Sequence, residues 1–467
     1  MLSRRPVLAG AVAAALLWRP VMAAAAETNV DFSGTWHGVL KAGLSLRLKL
    51  VIESGRATLY SLDQDGTPIP ADEMHVEGTR LRLVFNRISG AYDGRLTEGR
   101  IVGEWRQGGV LPLTFERGEP KAAVPPPPLT QERLAQLRTE AATPALAAAA
   151  ANRSGRVLTL ADGLRAVGRS ERVTIHDKWH LGSITKSMTA TLIARCVEAG
   201  VVKWDDTVGN ILGSSVPDMR PEYRDVTFLH LASHRAGLQA NVPIEAALRF
   251  PREDPDPRAE RVAYAQLALR QEPSGRKGEN FLYSNSGFVV AGAMLEAKLG
   301  APWETLIRER VFAPLNMKDA GFGAPGTPGA NDQPVGHTAG LIGALAPYPP
   351  GSPVTDNPAV LGPAGRVHAS FEDMLKYLAA HRDNAALLSK QSWRTLHTPP
   401  FGGNNALGWV VSENGLWHNG SNALWYAEVA FDPARGVTAI AAANDGRLAT
   451  AMPAVHEALG GAVAAVT

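Results

Sequence analysis

The chain has 467 residues, 45% apolar and 20% charged, a composition that excludes a mainly disordered polypeptide and suits two or three domains. Arg4, Arg5 and Arg19 are the sole charged side chains of the first 26 residues, so subtracting those three from the formal net charge of +2 leaves the remainder at −1. Near-neutrality of that kind excludes an electrostatic footprint for nucleic acid or acidic membranes, and no apolar run approaches the roughly 18 residues of a membrane span.

Residues 1–26 read as an export signal. Ser3-Arg4-Arg5-Pro6-Val7-Leu8 opens it, an apolar stretch runs to Leu17, and Ala23 to Ala26 supply small residues before Glu27. The paired arginines followed by apolar residues resemble a twin-arginine signal, which implies a bacterial-type protein delivered folded to the periplasm or beyond; an ordinary signal carrying two arginines stands beside that reading. Cys196 is the single cysteine, so no intrachain disulfide can form and an exported chain relies on its core alone.

From 27 to 118 the pattern is β. Leu44, Leu46, Leu48, Leu50 and Ile52 recur at period two, as do Leu81, Leu83 and Phe85, and Asp65-Gly66, Asp93-Gly94 and Gly108-Gly109 supply turns. These short strands predict a small antiparallel barrel or sandwich of about 90 residues. Phe32-Ser33-Gly34-Thr35-Trp36 resembles the opening strand of a lipocalin-type barrel, and Gly103 to Gly109 resembles closing strands of small β modules attached to bacterial hydrolases. Two readings stand open, a ligand cup and a packed accessory domain.

Pro125 to Pro128 stiffens a linker over 119–130. The spacing then predicts a short helix over 131–142, β runs at 157–160 and 164–167, and alternating helical and β patterns to the end, one mixed α+β domain over 131–467.

Ser-x-x-Lys occurs twice. Ser274 lies in the turn composition Pro273-Ser274-Gly275-Arg276-Lys277-Gly278, whereas Ser183 opens an apolar stretch in which Ile184, Met188, Ile193, Cys196 and Val197 fall at helical spacing and Gly200 terminates. A serine at a helix start sits where backbone N–H groups are unpaired and can donate to an oxyanion. Lys186, three residues on, shares its face, and once desolvated such a lysine can act as a base. The alternative is an N-cap serine beside a solvated lysine. Tyr283-Ser284-Asn285 follows before the apolar helix 287–295; a tyrosine beside such a pair can relay a proton, and the asparagine amide can hold a substrate carbonyl. His418-Asn419-Gly420-Ser421 precedes a strand expected over 424–431, where glycine lets a substrate backbone lie close and an N–H supplies a second oxyanion donor.

In that order, Ser-x-x-Lys, Tyr-x-Asn and His-x-Gly resemble the class C β-lactamase-related family of penicillin-recognising serine hydrolases. The stretches Asp225 to Leu238, Pro314 to Asp319, and Gly362 to Arg366 with Asp373-Met374 carry the likeness across residues 129–467. The resemblance implies an antiparallel sheet flanked by helices plus a helical lobe, with the site between them. It makes Ser183 the nucleophile, Lys186 its activating partner, Tyr283 the proton relay, Asn285 a substrate-orienting amide, and the N–H groups of Ser183 and Ser421 the oxyanion hole. His418 departs from the lysine of true class C β-lactamases, whose full charge pairs with the drug's carboxylate; histidine near its reference pKa is largely neutral at pH 7. The expectation is therefore an acyl-enzyme hydrolase of small-molecule esters, amides or D-amino-acid peptides, with β-lactamase activity as the alternative, needing no cofactor or metal. A competing class is a non-catalytic module that binds wall peptides or a partner.

Other residues invite different chemistry. His176 and His180 have zinc-motif spacing, but Val173-Thr174-Ile175 and Gly182 argue for strand and turn. His230 and His234 share helical spacing and are expected to be packing residues, and Cys196 a small buried hydrophobe. Trp409, Trp417 and Trp425 suit an acyl cleft or the core equally.

Overall fold

Period-two burial builds the first domain: in the strand Arg80–Phe85, Leu81, Leu83 and Phe85 turn inward while Arg80 and Arg82 face solvent. The computed structural model describes residues 30–467 apart from 43, 63–67, 89, 108, 121–125, 341–343, 353 and 414; the export signal read over 1–26 and Pro125 of the linker lie outside the described residues. Nine antiparallel strands between Gly34 and Arg117 form one sheet edged by Ile69–Pro70 and Glu73–Glu77. Those edges are consecutive in the chain. Ala71 N donates to Ala57 O and Asp72 N to Val84 O, each at 2.8 Å, so the chain steps from one edge to the other and curls the sheet into a half-barrel. The sandwich alternative is thereby replaced. Inside, Trp36 is fully buried, its Nε1 donating to Phe32 O at 2.8 Å, with the Arg117 guanidinium 4.2 Å above the ring.

Thr130 opens the second region, accepting from Arg133 N at 3.2 Å to cap the helix Gln131–Glu140. The alanine run that follows forms the strand Ala145–Asn152, an element that intrinsic propensity would place in a helix. Burial overrides propensity here. The strand lies inside a six-stranded antiparallel sheet, in the order Val157–Gly163, Ala145–Asn152, Val437–Ala443, Tyr426–Asp432, Gly415–Ser421, Val410–Ser412. Leu146, Ala148 and Ala150, with Ala439 and Ala441, pack toward the C-terminal helix Leu448–Val466; Ala147, Ala149, Ile440 and Ala442 join the larger core on the other face. Methyl-sized side chains let helices approach both faces closely.

Two expectations shift. Residues 164–167, read as a β run, contribute one isolated bridge, Leu164 to Arg172, because the strand ends at Gly163, whose φ is +108°. The His418 to Ser421 segment does precede a strand, Tyr426–Asp432, close to the 424–431 expected, but is itself a strand too, Gly415–Ser421, hairpinned to it. The chain reverses between them because Asn422 Oδ1 accepts from Leu424 N and Trp425 N, both at 3.2 Å. The helix Thr185–Glu198 and the helix Asn285–Leu299, capped by Ser284 Oγ accepting from Gly287 N, are buried nearly all round between sheet and helical lobe. Among the described residues no helix is long and apolar enough to cross a membrane.

Burial shapes the acid response. It drives His230, His368, His397 and His418 down to about 4, and His234 and His381 well below their ordinary value. Unfolded imidazoles bind protons near 6.5, so between about pH 5 and 6.5 the unfolded chain holds more protons and stability rises with pH. Urea midpoints should therefore be higher at about pH 7 than at about pH 5, and a flat series across that window contradicts this account.

Candidate active site

Ser183 sits in the single turn Gly182–Ile184 that runs into the helix Thr185–Glu198, and Lys186 lies on the first turn of that helix with no exposed surface. Spacing of three places the two side chains together. Lys186 Nζ donates to Ser183 Oγ at 3.0 Å, to Asn285 Oδ1 at 2.7 Å and to the Ala364 carbonyl at 2.6 Å. Tyr283 Oη donates to Ser183 Oγ at 2.6 Å, and its ring centroid lies 4.9 Å from Nζ. Burial pushes the Lys186 ammonium below its ordinary pKa, against the opposing pull of Tyr283.

Asn285 begins its helix directly after the Ser284 cap, which fixes its direction. An ammonium or amine donor faces its Oδ1, so its Nδ2 must point the other way, where it donates to Asn241 Oδ1 at 2.9 Å. The strand Gly415–Ser421 closes the opposite wall. A Cβ on Gly420 would lie 2.1 Å from Leu181 O and 2.5 Å from Ser183 N; one on Gly182, at φ +49°, would lie 2.4 Å from Ser421 N. Glycine at both positions lets the two backbones touch, setting the N–H groups of Ser183 and Ser421 on facing segments. The Ser421 hydroxyl accepts from Ala423 N at 2.9 Å.

His418 shares Gly420's face of the strand and is buried. Burial first, and then the Lys186 charge, bring it to about 4 despite the Asn419 carbonyl at its Nδ1; it is neutral at pH 7 by a wider margin than its residue type implies. A cavity of about 200 Å³ opens between the walls, bordered by Ser183, Asn285 and Ser421 with Asn241, Asn357 and Gly365.

All seven residues singled out in the sequence thus meet in one place. Asn241, Asn357 and the Ala364 carbonyl were not singled out; Ala364 falls inside a motif stretch but acts through its backbone, and no spacing marks the two asparagines. His234 packs as expected, and what it packs against is Tyr283: the rings lie 4.6 Å apart, Nδ1 accepts from Ser284 N at 3.1 Å and its carbonyl from Leu282 N at 2.9 Å. His180 lies on the strand Lys178–His180, not on a helix face shared with His176. Its Nδ1 accepts from Gly182 N at 3.1 Å. Trp409 and Trp425 are core residues, Trp409 5.0 Å from Phe431 and Trp425 stacked on His180 at 5.5 Å. Cys196 is buried in the helix, its thiol pushed up to about 11 by burial.

The model of the Beta-lactamase family matches residues 130–461. Penicillin-binding protein 4 of Amycolatopsis lactamdurans is 28% identical over 338 residues, covering 68% of this chain and 84% of that protein. The D-alanyl-D-alanine-carboxypeptidase/endopeptidase AmpH of Escherichia coli is 28% identical over 181 residues, 36% of this chain and 45% of that one. Among solved structures, the D-amino acid amidase from Ochrobactrum anthropi SV3 superposes with a TM-score of 0.58 at 20% identity, covering 72% of this chain and 96% of its own, a likeness of fold. The chain belongs to the β-lactamase family of serine hydrolases.

The backbone contact at Gly420 carries a direct expectation. Gly420→Ala drives a methyl group into the Ser183 turn, and turnover of any ester substrate should fall by about 100-fold or more with the far-ultraviolet circular dichroism retained. A variant within about threefold of wild type would separate this contact from activity.

Proposed function

We propose that this chain is an exported serine hydrolase that forms an acyl-enzyme on Ser183 and acts on esters and amides, D-amino-acid amides and peptides among them, whose leaving group carries no carboxylate. The observation that carries the reading is the placement of Ser183 Oγ 3.0 Å from a buried Lys186 Nζ and 2.6 Å from Tyr283 Oη.

Lys186 in its neutral form has two N–H bonds and one lone pair. Asn285 Oδ1 and the Ala364 carbonyl only accept, so they take the two hydrogens and leave the lone pair facing the Ser183 hydroxyl. Burial favours that state by lowering the amine's hold on a third proton. Oγ attacks the substrate carbonyl carbon, its proton passes to Nζ, and the C=O electron pair moves onto oxygen between the Ser183 and Ser421 N–H groups. As the bond to the leaving amine or alcohol breaks, Tyr283 gives that group a proton and recovers one from Lys186, the reverse direction serving when water later attacks the acyl-enzyme. A binder with no chemistry to perform gains nothing from desolvating a lysine beside a serine, which weighs against the non-catalytic alternative.

The substrate restriction rests on charge. Asn241, Asn285, Asn357 and Ser421 border the cavity as uncharged polar groups, and His418 is neutral above about pH 5, so a substrate carboxylate finds no full charge at position 418. The amidase name among the similar proteins lends support to the amide part of this reading; the carboxypeptidase name supports peptide chemistry but not the restriction, since a carboxypeptidase releases a carboxylate-bearing amine. Delivery outside the cytoplasm rests on the pattern of residues 1–26.

Intact-mass measurement after treatment with a fluorophosphonate should show one adduct on the wild type and none on Ser183→Ala; an unlabelled wild type that also fails to turn over esters overturns the enzyme reading. Tyr283→Phe should lose about 100-fold or more in kcat. With neutral p-nitrophenyl esters and D-amino-acid amides, kcat/KM should exceed that for nitrocefin, which bears a carboxylate, by about tenfold or more. The opposite order defeats the substrate restriction while leaving the acyl-enzyme intact.

A further inference from the structure

Behind the cavity lies a buried carboxylate that no catalytic step above uses. Asp356 Oδ1 accepts from Asn422 Nδ2 at 3.1 Å and from Asn357 N at 2.7 Å, and lies 3.0 Å from His180 Nε2; Oδ2 accepts from Arg366 Nε at 3.2 Å. Arg366 reaches on to Glu253 at 2.7 Å, tying the cluster to the helical lobe. The side chain of Asp356 is 4% exposed. Burial alone would raise its pKa, while His180, Arg366 and Asn422 pull the group below the ordinary carboxylate value.

The partners matter more than the charge. His180 Nδ1 accepts from Gly182 N, which puts the ring hydrogen on Nε2, 3.0 Å from Asp356 Oδ1 in close contact though not aligned as a hydrogen bond. The carboxylate packs against that ring, and the ring in turn holds the turn bearing Ser183 through Gly182 N. Through Asn422 it holds the hairpin immediately after Ser421, since Asn422 is at once its donor and the acceptor for Leu424 N and Trp425 N that makes the chain reverse. Trp425 stacks on His180 at 5.5 Å, closing the loop between the two arms. Asn357, on the third arm, borders the cavity and donates from Nδ2 to Gly365 O at 3.1 Å.

We infer that Asp356 is a positioning residue for the oxyanion hole: one carboxylate braces both backbone segments whose N–H groups receive the developing negative charge, and so fixes their separation. The inference rests on the acyl-enzyme reading of Ser183. It goes beyond that reading in assigning to Asp356, His180 and Asn422 a shared effect on transition-state stabilisation rather than on substrate binding. Preorganised donors act through their placement, and a shift of a fraction of an ångström at either segment weakens the transition state while leaving the ground-state contacts at Asn241 and Asn285 in place.

The test compares Asp356→Asn, Asn422→Ala and wild type with one neutral ester, and measures Ki for a simple alkyl boronic acid, whose tetrahedral adduct on Ser183 places an oxygen where the oxyanion forms. Both variants should lose about 10- to 100-fold in kcat with KM within about twofold, and boronate Ki should rise in proportion to the fall in kcat/KM. A folded variant that keeps wild-type kcat, or loses kcat with an unchanged boronate Ki, overturns the inference. Should Asp356→Asn fail to fold, Asn422→Asp decides in its place, because it keeps the oxygen that accepts from Leu424 N and Trp425 N, removes the Nδ2 donor to Asp356 and leaves the Asp356–Arg366 ion pair in place; a fall in kcat with a matching rise in boronate Ki supports the inference and wild-type values of both overturn it. A wild type that turns over no ester defeats the acyl-enzyme reading instead, a result distinct from active variants that match an active wild type.

Discussion

A lysine with no exposed surface is the element on which the rest of this architecture depends. Removing an ammonium-bearing side chain from water is costly unless its hydrogens are taken up, and Lys186 finds acceptors on three segments far apart in sequence: the turn that carries Ser183, the first residue of the helix Asn285–Leu299, and the carbonyl of Ala364. None of the three lies where it does by local propensity. The helix start is fixed by Ser284, whose hydroxyl caps it, and by His234, which accepts from the Ser284 N–H and backs the Tyr283 ring. The Ala364 carbonyl is delivered by the short helix Gly362–Gly365, tied to the Lys186 helix by Thr189 Oγ1 donating to Pro363 O at 2.7 Å.

A second constraint runs at right angles to the first. While the lysine gathers acceptors from the helical side, Gly182 and Gly420 bring the sheet against the Ser183 turn, backbone on backbone. That approach is allowed by what the sheet itself lacks. Ala147, Ala149 and Ala442 present methyl groups to the main core, so the helix Phe371–Asp383 can settle onto the sheet without larger side chains holding it off. The composition of the strands and the closeness of the site are thus parts of one packing arrangement.

Those two constraints explain which features were legible in the sequence. Ser183, Lys186, Tyr283 and Asn285 were readable because each chemical partner sits at a short, fixed spacing on or beside a helix start, where hydroxyls, amides and glycine punctuation have definite meanings. The half-barrel was readable from period-two alternation, which records burial on one face directly, although its mode of closure was not, since the step at Ala71 and Asp72 depends on two carbonyls, Ala57 and Val84, on different strands. The strand Ala145–Asn152 was missed for a physical reason: alanine carries no period when both faces are buried, and its local preference points to helix. Asn241, Asn357 and Asp356 were missed for another. Their roles arise from segments meeting across the fold, and a carboxylate that braces two loops leaves no pattern along either.

The histidines show why burial, more than residue type, sets the electrostatics of this site. His234 and His418 are both held neutral, chiefly by desolvation, and in each case the Lys186 charge adds to that effect. The coupling is mutual: an imidazolium at either position would weaken Lys186's hold on its own proton, so each protonation excludes another nearby. Above about pH 5 the two rings are out of competition, which leaves Lys186 and Tyr283 as the proton carriers beside Ser183 in the reaction we propose. Replacing the lysine of related third motifs by a buried histidine therefore does more than remove a charge from the substrate's path. It also keeps a second ammonium from position 418, lessening the repulsion such a charge would impose on Lys186 when, in the reaction we propose, the lysine takes up the serine proton.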